Sequence, residues 1–141
     1  MPDVRDVSAT FAVAPQIAPG DLPELAARFT LIINNRPDGE APDQPSNAEM
    51  AEAARAAGVR YQFIPMVGAP GPEQVRATRA ALADAAGPAL AFCRSGTRSI
   101  LAWALSEAAA GRPAHEVEAQ ALQAGYQIGP PLRALLPGLS A

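Results

Sequence analysis

Short apolar runs alternate with longer stretches of mixed polarity along the chain. β-Branched or aromatic residues occur in most of the runs, which is typical of buried strands. Strands are predicted in this way near 11–13, 30–34, 59–64 and 88–92. Because strands that alternate with helices pack as a parallel sheet between helical layers, the pattern predicts an α/β fold. We expect a single domain with a central parallel sheet of about four to five strands and helices on both faces.

Helix signals separate the predicted strands. Ser46 opens a capping-box pattern before an alanine-rich stretch, which Gly58 ends. Apolar positions repeat at helical spacing in the later stretches, where Val117, Ala121 and Leu122 are expected to face inward. Helices are predicted at about 21–28, 46–57, 72–86, 98–110 and 113–124, with a short one after Pro131.

The composition is that of a globular protein. The chain has 141 residues, of which 49% are hydrophobic and 18% charged, so residues 1–141 are predicted to form one domain with a sizeable core. Residues 1–9 are polar and are predicted to be a loose tail. Tyr61 and Tyr126 are predicted to pack against the core with their hydroxyls at the surface.

Charge, hydropathy and cysteine content exclude several classes of function. The net charge of -3, without a basic stripe, argues against nucleic acid as a partner. No apolar run approaches the roughly 18 residues that span a membrane, and no basic-then-apolar leader opens the chain. A single cysteine cannot form an internal disulfide, which favours a reducing compartment, and we expect a cytoplasmic protein. One cysteine and one histidine cannot build a thiolate–imidazole zinc site, so no metal or other cofactor is expected.

The only cysteine begins the most informative segment of the chain, Cys93-Arg94-Ser95-Gly96-Thr97-Arg98-Ser99. A strand, a glycine-containing turn and a helix N-terminus direct backbone N–H groups and the positive end of the helix dipole at one point, where an anion binds. Such a site stabilises a thiolate, and the planar guanidinium of Arg98 suits a tetrahedral oxyanion. The pattern predicts a cysteine nucleophile cradled by an anion-binding loop.

A buried, inert cysteine is the main alternative for this position. It accounts for Cys93 alone, but not for the two arginines and three hydroxyl residues in the six positions that follow it. Buried polar groups need partners, which a bound anion would supply. Polar segments at 34–40 and 66–72 also follow predicted strand ends, and we expect them to meet segment 93–99 at the carboxyl edge of the sheet.

Two segments of the chain resemble a known family. They are 33–40, which reads Ile-Asn-Asn-Arg-Pro-Asp-Gly-Glu, and 93–99. Over about 11–126 the chain is similar to the phosphatase-like domain of beta-lactamase hydrolase-like proteins, a family with a tyrosine-phosphatase-like α/β fold. Some members are joined to a metallo-hydrolase of the sulfur dioxygenase type and are described as sulfur transferases, whereas others are described as phosphatases.

The resemblance implies roles for particular residues. Cys93 would be the nucleophile and Arg98 the arginine that binds the oxyanion. Arg36 would be a second cation at the neighbouring strand end. Independently of the resemblance, the position of Ser99 directly after the arginine lets its hydroxyl hydrogen-bond the thiolate, cap the helix or do both. The loop residues that would bind the substrate anion are Arg94, Ser95, Gly96, Thr97 and Ser99.

The loop length favours sulfur transfer over phosphoryl transfer. A tyrosine-phosphatase signature has a histidine before the cysteine and five residues between cysteine and arginine, whereas here Phe92 precedes Cys93 and four residues separate it from Arg98. The shorter pattern Cys-x-x-Gly-x-Arg is similar to that of small rhodaneses, which carry sulfur as a cysteine persulfide. Breaking a P–O bond also benefits from a general acid. Asp38 and Glu40 are the candidates for this role, but both are more simply interpreted as turn residues. Sulfite or an acidic thiolate leaves without a proton.

The predicted function is therefore a rhodanese-like sulfurtransferase that works through a Cys93 persulfide. The alternative is a tyrosine- or dual-specificity-like phosphatase that works through a Cys93 phosphocysteine. A second alternative is an anion-binding module, or a redox sensor with an exposed thiol. The expected partners are a small sulfur-containing anion or persulfide as donor (a phosphoester in the alternative), an acceptor thiol and a sulfur dioxygenase-type protein.

Overall fold

A five-stranded sheet forms the centre of the computed structural model, which describes residues 2–139. The strands are β1 (Arg5–Asp6), β2 (Phe11–Ala14), β3 (Leu31–Asn34), β4 (Arg60–Phe63) and β5 (Ala89–Phe92). Their spatial order is β1-β2-β5-β3-β4. β2, β5, β3 and β4 run parallel, and β1 pairs with β2 in the antiparallel sense at one edge. The predicted parallel sheet is confirmed, with an antiparallel strand added.

Helices connect the parallel strands. The α-helices of residues 2–139 are α1 (Leu22–Ala26), α2 (Asn47–Ala57), α3 (Pro72–Asp84), α4 (Thr97–Ala109), α5 (Ala114–Gln123) and α6 (Gly129–Leu135). The capping box predicted at Ser46 is present, because its hydroxyl accepts the N–H of Glu49 while the Glu49 carboxylate accepts the N–H of Ser46. Gly58 ends α2 at a φ of 75°. None of the helices in this part of the chain combines the length and apolar character needed to cross a bilayer.

The three central strands, β2, β5 and β3, bury both of their faces, which explains why they are almost entirely apolar, whereas the edge strands β1 and β4 are exposed or half-buried and carry polar residues. On β5, Ala89 and Ala91 face one core, and Leu90 and Phe92 face the other. The first core also holds side chains of α3, α4, α5 and α6, and the second holds side chains of α1 and α2. The sheet is therefore covered on both faces, as predicted.

The first residues of the chain differ from the prediction. Residues 1–9 were expected to be loose, yet strand β1 pairs with β2, and Val7 is buried in the core. Without β1, the outer edge of β2 would present unpaired backbone N–H and C=O groups, and pairing satisfies them. Met1 lies outside the described residues.

One predicted inward-facing position is also wrong. Val117 and Ala121 are buried as predicted, but Leu122 is 54% exposed. Positions 117 and 121 lie four residues apart on one face of α5, whereas position 122 is rotated from 121 by about 100° around the helix axis. The helical period therefore places Leu122 beside the buried face rather than on it.

The segments after three parallel strands meet at the carboxyl edge of the sheet. The N–H of Asn35, after β3, donates to the carbonyl of Phe92 at the end of β5, over 2.8 Å. The N–H of Met66, after β4, donates to the carbonyl of Asn35 over 3.0 Å. The predicted meeting of 34–40, 66–72 and 93–99 is confirmed.

Candidate active site

The turn between β5 and α4 places Cys93 at the carboxyl edge of the sheet. Gly96 is the N-cap of α4 and has a φ of 93°, in the left-handed region that glycine adopts without steric cost. A side chain at position 96 would also overlap with the hydroxyl of Tyr126. Both the backbone conformation and the close approach of a tyrosine therefore require glycine here.

The sulfur of Cys93 accepts a hydrogen bond from the backbone. The N–H of Gly96 donates to Sγ over 3.1 Å. The first N–H groups of a helix have no intrahelical acceptor, so those of Arg98 and Ser99 are directed out of the same end of α4. The turn has the geometry of an anion-binding loop, with the positive end of the helix dipole behind it.

Cys93 is a free thiol that is 0% exposed. The redox-sensor alternative expected an exposed thiol, and this expectation is wrong, because the Cys93 side chain is buried. A ligand that reaches Sγ has to displace atoms that cover it.

The guanidinium of Arg98 is held by two other segments. Its Nη1 and Nη2 donate to the two carboxylate oxygens of Glu40, each over 2.8 Å. Nη1 also donates to the carbonyl of Met66 over 2.6 Å. The hydrogen bond to Glu40, with a smaller contribution from the Cys93 sulfur, keeps the pKa of Arg98 above its usual value. The carboxylate binds the two terminal nitrogens of the guanidinium, and Nε of Arg98 makes no hydrogen bond among those of residues 2–139, so this edge can donate to a tetrahedral anion.

Glu40 also binds Arg36, so one carboxylate joins two cations. Nε of Arg36 donates to Oε1 of Glu40 over 3.0 Å, and Nη1 donates to the side-chain oxygen of Gln16 over 3.1 Å. Hydrogen bonds from Arg98 and then from Arg36 lower the pKa of Glu40 to about 2. The carboxylate is therefore ionised at neutral pH. The Arg36 side chain is 5% exposed and acts on the site through Glu40, and its direct contact with substrate stays a prediction.

Ser99 takes part in a buried network that the sequence did not reveal. Its hydroxyl donates to Oδ1 of Asn35 over 2.7 Å, and Nδ2 of Asn35 donates to the carbonyl of Ile64 over 2.9 Å. The one hydroxyl proton of Ser99 is therefore used by Asn35, so Ser99 does not donate to the thiolate as predicted. Asn35 instead ties the ends of β3, β4 and α4 together.

The remaining loop residues form the outer wall of the turn. Arg94, Ser95 and Thr97 are exposed. The hydroxyl of Ser95 donates to the hydroxyl of Thr97 over 3.0 Å, and the carbonyl of Arg94 accepts the N–H of Gln16 over 3.2 Å. The structure thus brings all predicted loop residues together at one turn, and their contact with an anion stays a prediction.

Tyr126 is a second residue that sequence reasoning missed. Its hydroxyl lies at the surface as expected, and there it donates to the carbonyl of Ser95 over 3.1 Å, a contact that the sequence did not predict. The two residues lie 31 positions apart, and no local pattern indicates that they meet. Burial raises the pKa of the Tyr126 hydroxyl, so it remains a donor at neutral pH.

Both carboxylates weighed as general acids are engaged by other groups. Oδ1 of Asp38 accepts the N–H of Asn47 at the start of α2 over 2.7 Å. Asp38 lies in a turn, as predicted, and it also caps the start of α2, which was not predicted. Glu40 is ionised and bound to two arginines. Across residues 2–139, no three histidine, cysteine, aspartate or glutamate side chains are grouped as a metal site requires.

The fold and the site together define a class of protein. A cysteine at the end of a central parallel strand, a glycine-containing loop and an arginine at the start of the next helix occur here in a tyrosine-phosphatase-like fold. The family model described as "Beta-lactamase hydrolase-like protein, phosphatase-like domain" matches residues 3–110, and the chain belongs to this family. The resemblance drawn from segments 33–40 and 93–99 is confirmed.

Two curated relatives carry the name beta-lactamase hydrolase-like protein. The relative from Agrobacterium fabrum is 47% identical over 105 residues, which are 73% of this chain and 24% of that protein. The relative from Xylella fastidiosa strain Temecula1 is 39% identical over 129 residues, which are 89% of this chain and 30% of that protein. The chain thus spans less than a third of the length of each of these relatives.

Solved structures share the fold over nearly the whole chain. A candidate phosphatase of Neisseria meningitidis has a TM-score of 0.83 and 29% identity, with 95% of this chain and 96% of that chain covered. The active form of the protein named Tk-PTP has a TM-score of 0.75 and 19% identity, with 96% of this chain and 95% of that chain covered. At 19% identity, the second likeness concerns the fold alone.

Proposed function

We propose that this domain is a cysteine-dependent phosphatase that works through a phosphocysteine on Cys93. The observation that carries the proposal is the sulfur of Cys93, which accepts the Gly96 N–H at the start of α4 and lies beside an arginine fixed by a carboxylate. Membership of a phosphatase-like family and the likeness to a candidate phosphatase support it.

The proposed reaction has two steps. First, the Cys93 thiolate attacks phosphorus, an S–P bond forms, and the P–O bond to the leaving group breaks with the electron pair on oxygen. The N–H groups at the start of α4 and the free edge of Arg98 hold the phosphoryl oxygens. Second, water attacks phosphorus, the S–P bond breaks, and the thiolate and inorganic phosphate are released while the proton of the water passes to solvent.

The state of the two carboxylates narrows the substrate class. Glu40 is ionised and bound by two arginines, and Asp38 is engaged at the start of α2, so the proposed reaction assigns neither of them as the proton donor to the leaving group. A general acid contributes about 10²–10⁴-fold to such a step. We therefore expect a steep dependence of the rate on leaving-group acidity, with phosphates of acidic phenols as the preferred substrates.

Steady-state assays on two aryl phosphates test this proposal. The wild-type protein should hydrolyse 4-nitrophenyl phosphate and should be slower on phenyl phosphate by at least about tenfold, because phenol is the poorer leaving group. Cys93→Ser should show neither activity. Equal activity of Cys93→Ser and wild type would refute the role of the thiol, and equal rates on both substrates would refute the leaving-group argument.

Sulfur transfer is the second candidate function. It is favoured by the four residues between Cys93 and Arg98 and by the lack of an available proton on Glu40. In that reaction the Cys93 thiolate attacks the outer sulfur of thiosulfate, an S–S bond forms, and sulfite leaves with the electron pair of the bond that breaks. An acceptor thiolate or cyanide then takes the outer sulfur and releases the Cys93 thiolate. A sulfur dioxygenase-type protein is the proposed consumer of a low-molecular-weight persulfide made in this way.

A parallel assay separates the two functions. Thiosulfate with cyanide, and 4-nitrophenyl phosphate, are given to the same preparations of wild type and Cys93→Ser. Phosphate release without thiocyanate supports the phosphatase. Thiocyanate formation with one extra sulfur atom on Cys93, removed by a reductant, would replace the phosphatase by the sulfurtransferase.

A further inference from the structure

The peptide group between Ser95 and Gly96 is engaged at both ends by different side chains. Its carbonyl, on Ser95, accepts the Tyr126 hydroxyl over 3.1 Å. Its N–H, on Gly96, donates to the sulfur of Cys93 over 3.1 Å. One rigid group therefore stands between the tyrosine and the cysteine.

The rigidity of the peptide couples the two hydrogen bonds. A trans peptide is planar, and its C=O and N–H point in opposite directions. A partner that fixes the carbonyl of Ser95 thereby fixes the direction of the N–H of Gly96. Rotation of this peptide by half a turn would aim a carbonyl oxygen at the sulfur, which would disfavour a thiolate. A hydrogen bond to the carbonyl also polarises the peptide and strengthens its N–H as a donor.

Gly96 is the residue at which such a rotation meets least resistance, because glycine has no side chain and tolerates a wide range of backbone angles. Its φ of 93° is one of several conformations open to it. An external contact is therefore needed to select the orientation seen here. Tyr126 is well held for this task, because its own N–H donates to the carbonyl of Ala121 at the end of α5 over 3.0 Å.

We propose that Tyr126 is a positioning residue that orients the Ser95–Gly96 peptide so that its N–H points at the sulfur of Cys93. The inference rests on the proposed function only in taking Cys93 as the nucleophile. It holds equally for phosphoryl and for sulfur transfer, because both need a thiolate. Tyr126 acts through the peptide and is not a catalytic residue.

The charged groups around this unit are few. Arg5, Asp3 and Cys93 act electrostatically on the Tyr126 hydroxyl, and Arg98 and Cys93 act on each other. None of them contacts the Ser95 carbonyl among the hydrogen bonds of residues 2–139. Tyr126→Phe therefore removes one donor to this carbonyl and leaves the charges in place.

The single cysteine allows a direct test. In protein labelled with ¹³C at the cysteine Cβ, one resonance reports the ionisation of Cys93 across a pH titration, whether or not a reagent can reach the buried thiol. Tyr126→Phe keeps the ring, so its packing is retained. We expect the midpoint of its titration to lie about 0.3–1 pH unit above that of wild type, as for the loss of one neutral hydrogen bond.

Tyr61→Phe is the matched control. Tyr61 also makes side-chain hydrogen bonds, accepting from Asn34 and donating to Asn47, but none with the Cys93 loop. Its titration midpoint should equal that of wild type. All titrations are run well below the unfolding temperature of each variant, so that a loss of stability does not obscure the result.

Two outcomes decide the inference. An unchanged midpoint in folded Tyr126→Phe, or an equal shift in both tyrosine variants, would overturn the positioning role. A shift confined to Tyr126→Phe supports it. If that shift occurs in a protein that turns over neither phosphoester nor thiosulfate, the proposed function fails and the positioning role stands.

Discussion

A cluster of ion pairs beside the Cys93 loop and a single ion pair at the opposite end of the sheet differ in their exposure to solvent. Beside the Cys93 loop, Glu40 joins Arg36 and Arg98, whose side chains are 5% and 17% exposed. At the other end of the sheet, Arg60 and Asp84 form a pair whose side chains are 57% and 77% exposed. Exposed pairs contribute about 0–1 kcal/mol, because water already solvates both charges.

The comparison shows what the less exposed cluster does. Withdrawing charges from water is unfavourable unless good geometry and further hydrogen bonds offset the loss of solvation. Glu40 and Arg98 meet this condition with two parallel hydrogen bonds and a third to the Met66 carbonyl. The cluster therefore fixes a guanidinium next to the cysteine, whereas the exposed pair joins the start of β4 to the end of α3 at the surface.

The largest effect is expected from Arg98→Lys. A lysine ammonium keeps the charge but cannot grip Glu40 and an anion with two edges of one planar group. We expect kcat/KM for 4-nitrophenyl phosphate to fall about 10²–10³-fold, as for the loss of one oxyanion-stabilising donor. Arg60→Lys, in the exposed pair, should retain wild-type kinetics. If Arg98→Lys kept a third or more of the wild-type kcat/KM, a positive charge at position 98 would be sufficient for activity and the planar guanidinium would not be required.

Removing the charge of Glu40 gives the second comparison. The pKa of Glu40 is about 2 in the folded protein, compared with 4.5 for a glutamate without these partners. The ionised carboxylate therefore stabilises the fold fully above about pH 4.5. This contribution is lost as the pH falls towards 2. Glu40→Gln should lower the free energy of unfolding by about 1–3 kcal/mol at pH 7.

Urea unfolding at several pH values tests whether the stabilisation by Glu40 is lost as the pH falls. The difference between wild type and Glu40→Gln should shrink steadily between pH 4.5 and pH 2. Asp84→Asn should stay close to wild type throughout. A difference for Glu40→Gln that is constant with pH would show that packing, not charge, is responsible.

Ser99→Ala tests the neutral part of the same region. It leaves Oδ1 of Asn35 without its donor in a buried position, which costs about 1–3 kcal/mol of unfolding free energy. Ser106→Ala is a control on the same helix, since Ser106 is also buried but makes no side-chain hydrogen bond among those of residues 2–139. Equal unfolding free energies for the two variants in urea would contradict the importance of the Ser99–Asn35 contact.

The smallest effect is expected from the exposed pair itself. Asp84→Asn should change the free energy of unfolding by no more than about 0.5 kcal/mol, and added salt should reduce even that difference. Urea denaturation with and without about 0.5 M sodium chloride measures it. A loss above about 1 kcal/mol would show that exposure is a poor guide to the strength of ion pairs in this chain.

Much of the fold follows from local patterns. The capping box at Ser46 predicts where α2 begins, because helix capping involves residues only three positions apart. The apolar runs predict the central parallel strands, because burial on both faces requires consecutive apolar residues. Strand β1 was missed because it is only two residues long and both residues, Arg5 and Asp6, are charged and exposed, so it lacks the apolar run that marks the central strands. The exposure of Leu122 follows from the helical period applied strictly.

The site was predictable where its residues are neighbours in sequence. Segment 93–99 indicates the turn, the glycine and the arginine together. The contacts of Arg98 with Glu40 and of Tyr126 with Ser95 span 58 and 31 positions, and only the packed fold decides them. The two types of evidence differ on the reaction. The length of the loop between Cys93 and Arg98 favours sulfur transfer, whereas the family and the structural likeness favour a phosphatase.

The most direct measurement is to trap the intermediate. Wild-type protein mixed with 4-nitrophenyl phosphate is quenched in acid within the first turnovers, and the intact mass and the peptide containing Cys93 are determined. We predict one phosphoryl group on Cys93 in the wild-type protein and none on the same peptide of Cys93→Ser. Continued release of 4-nitrophenol without any phosphate on Cys93 would contradict it.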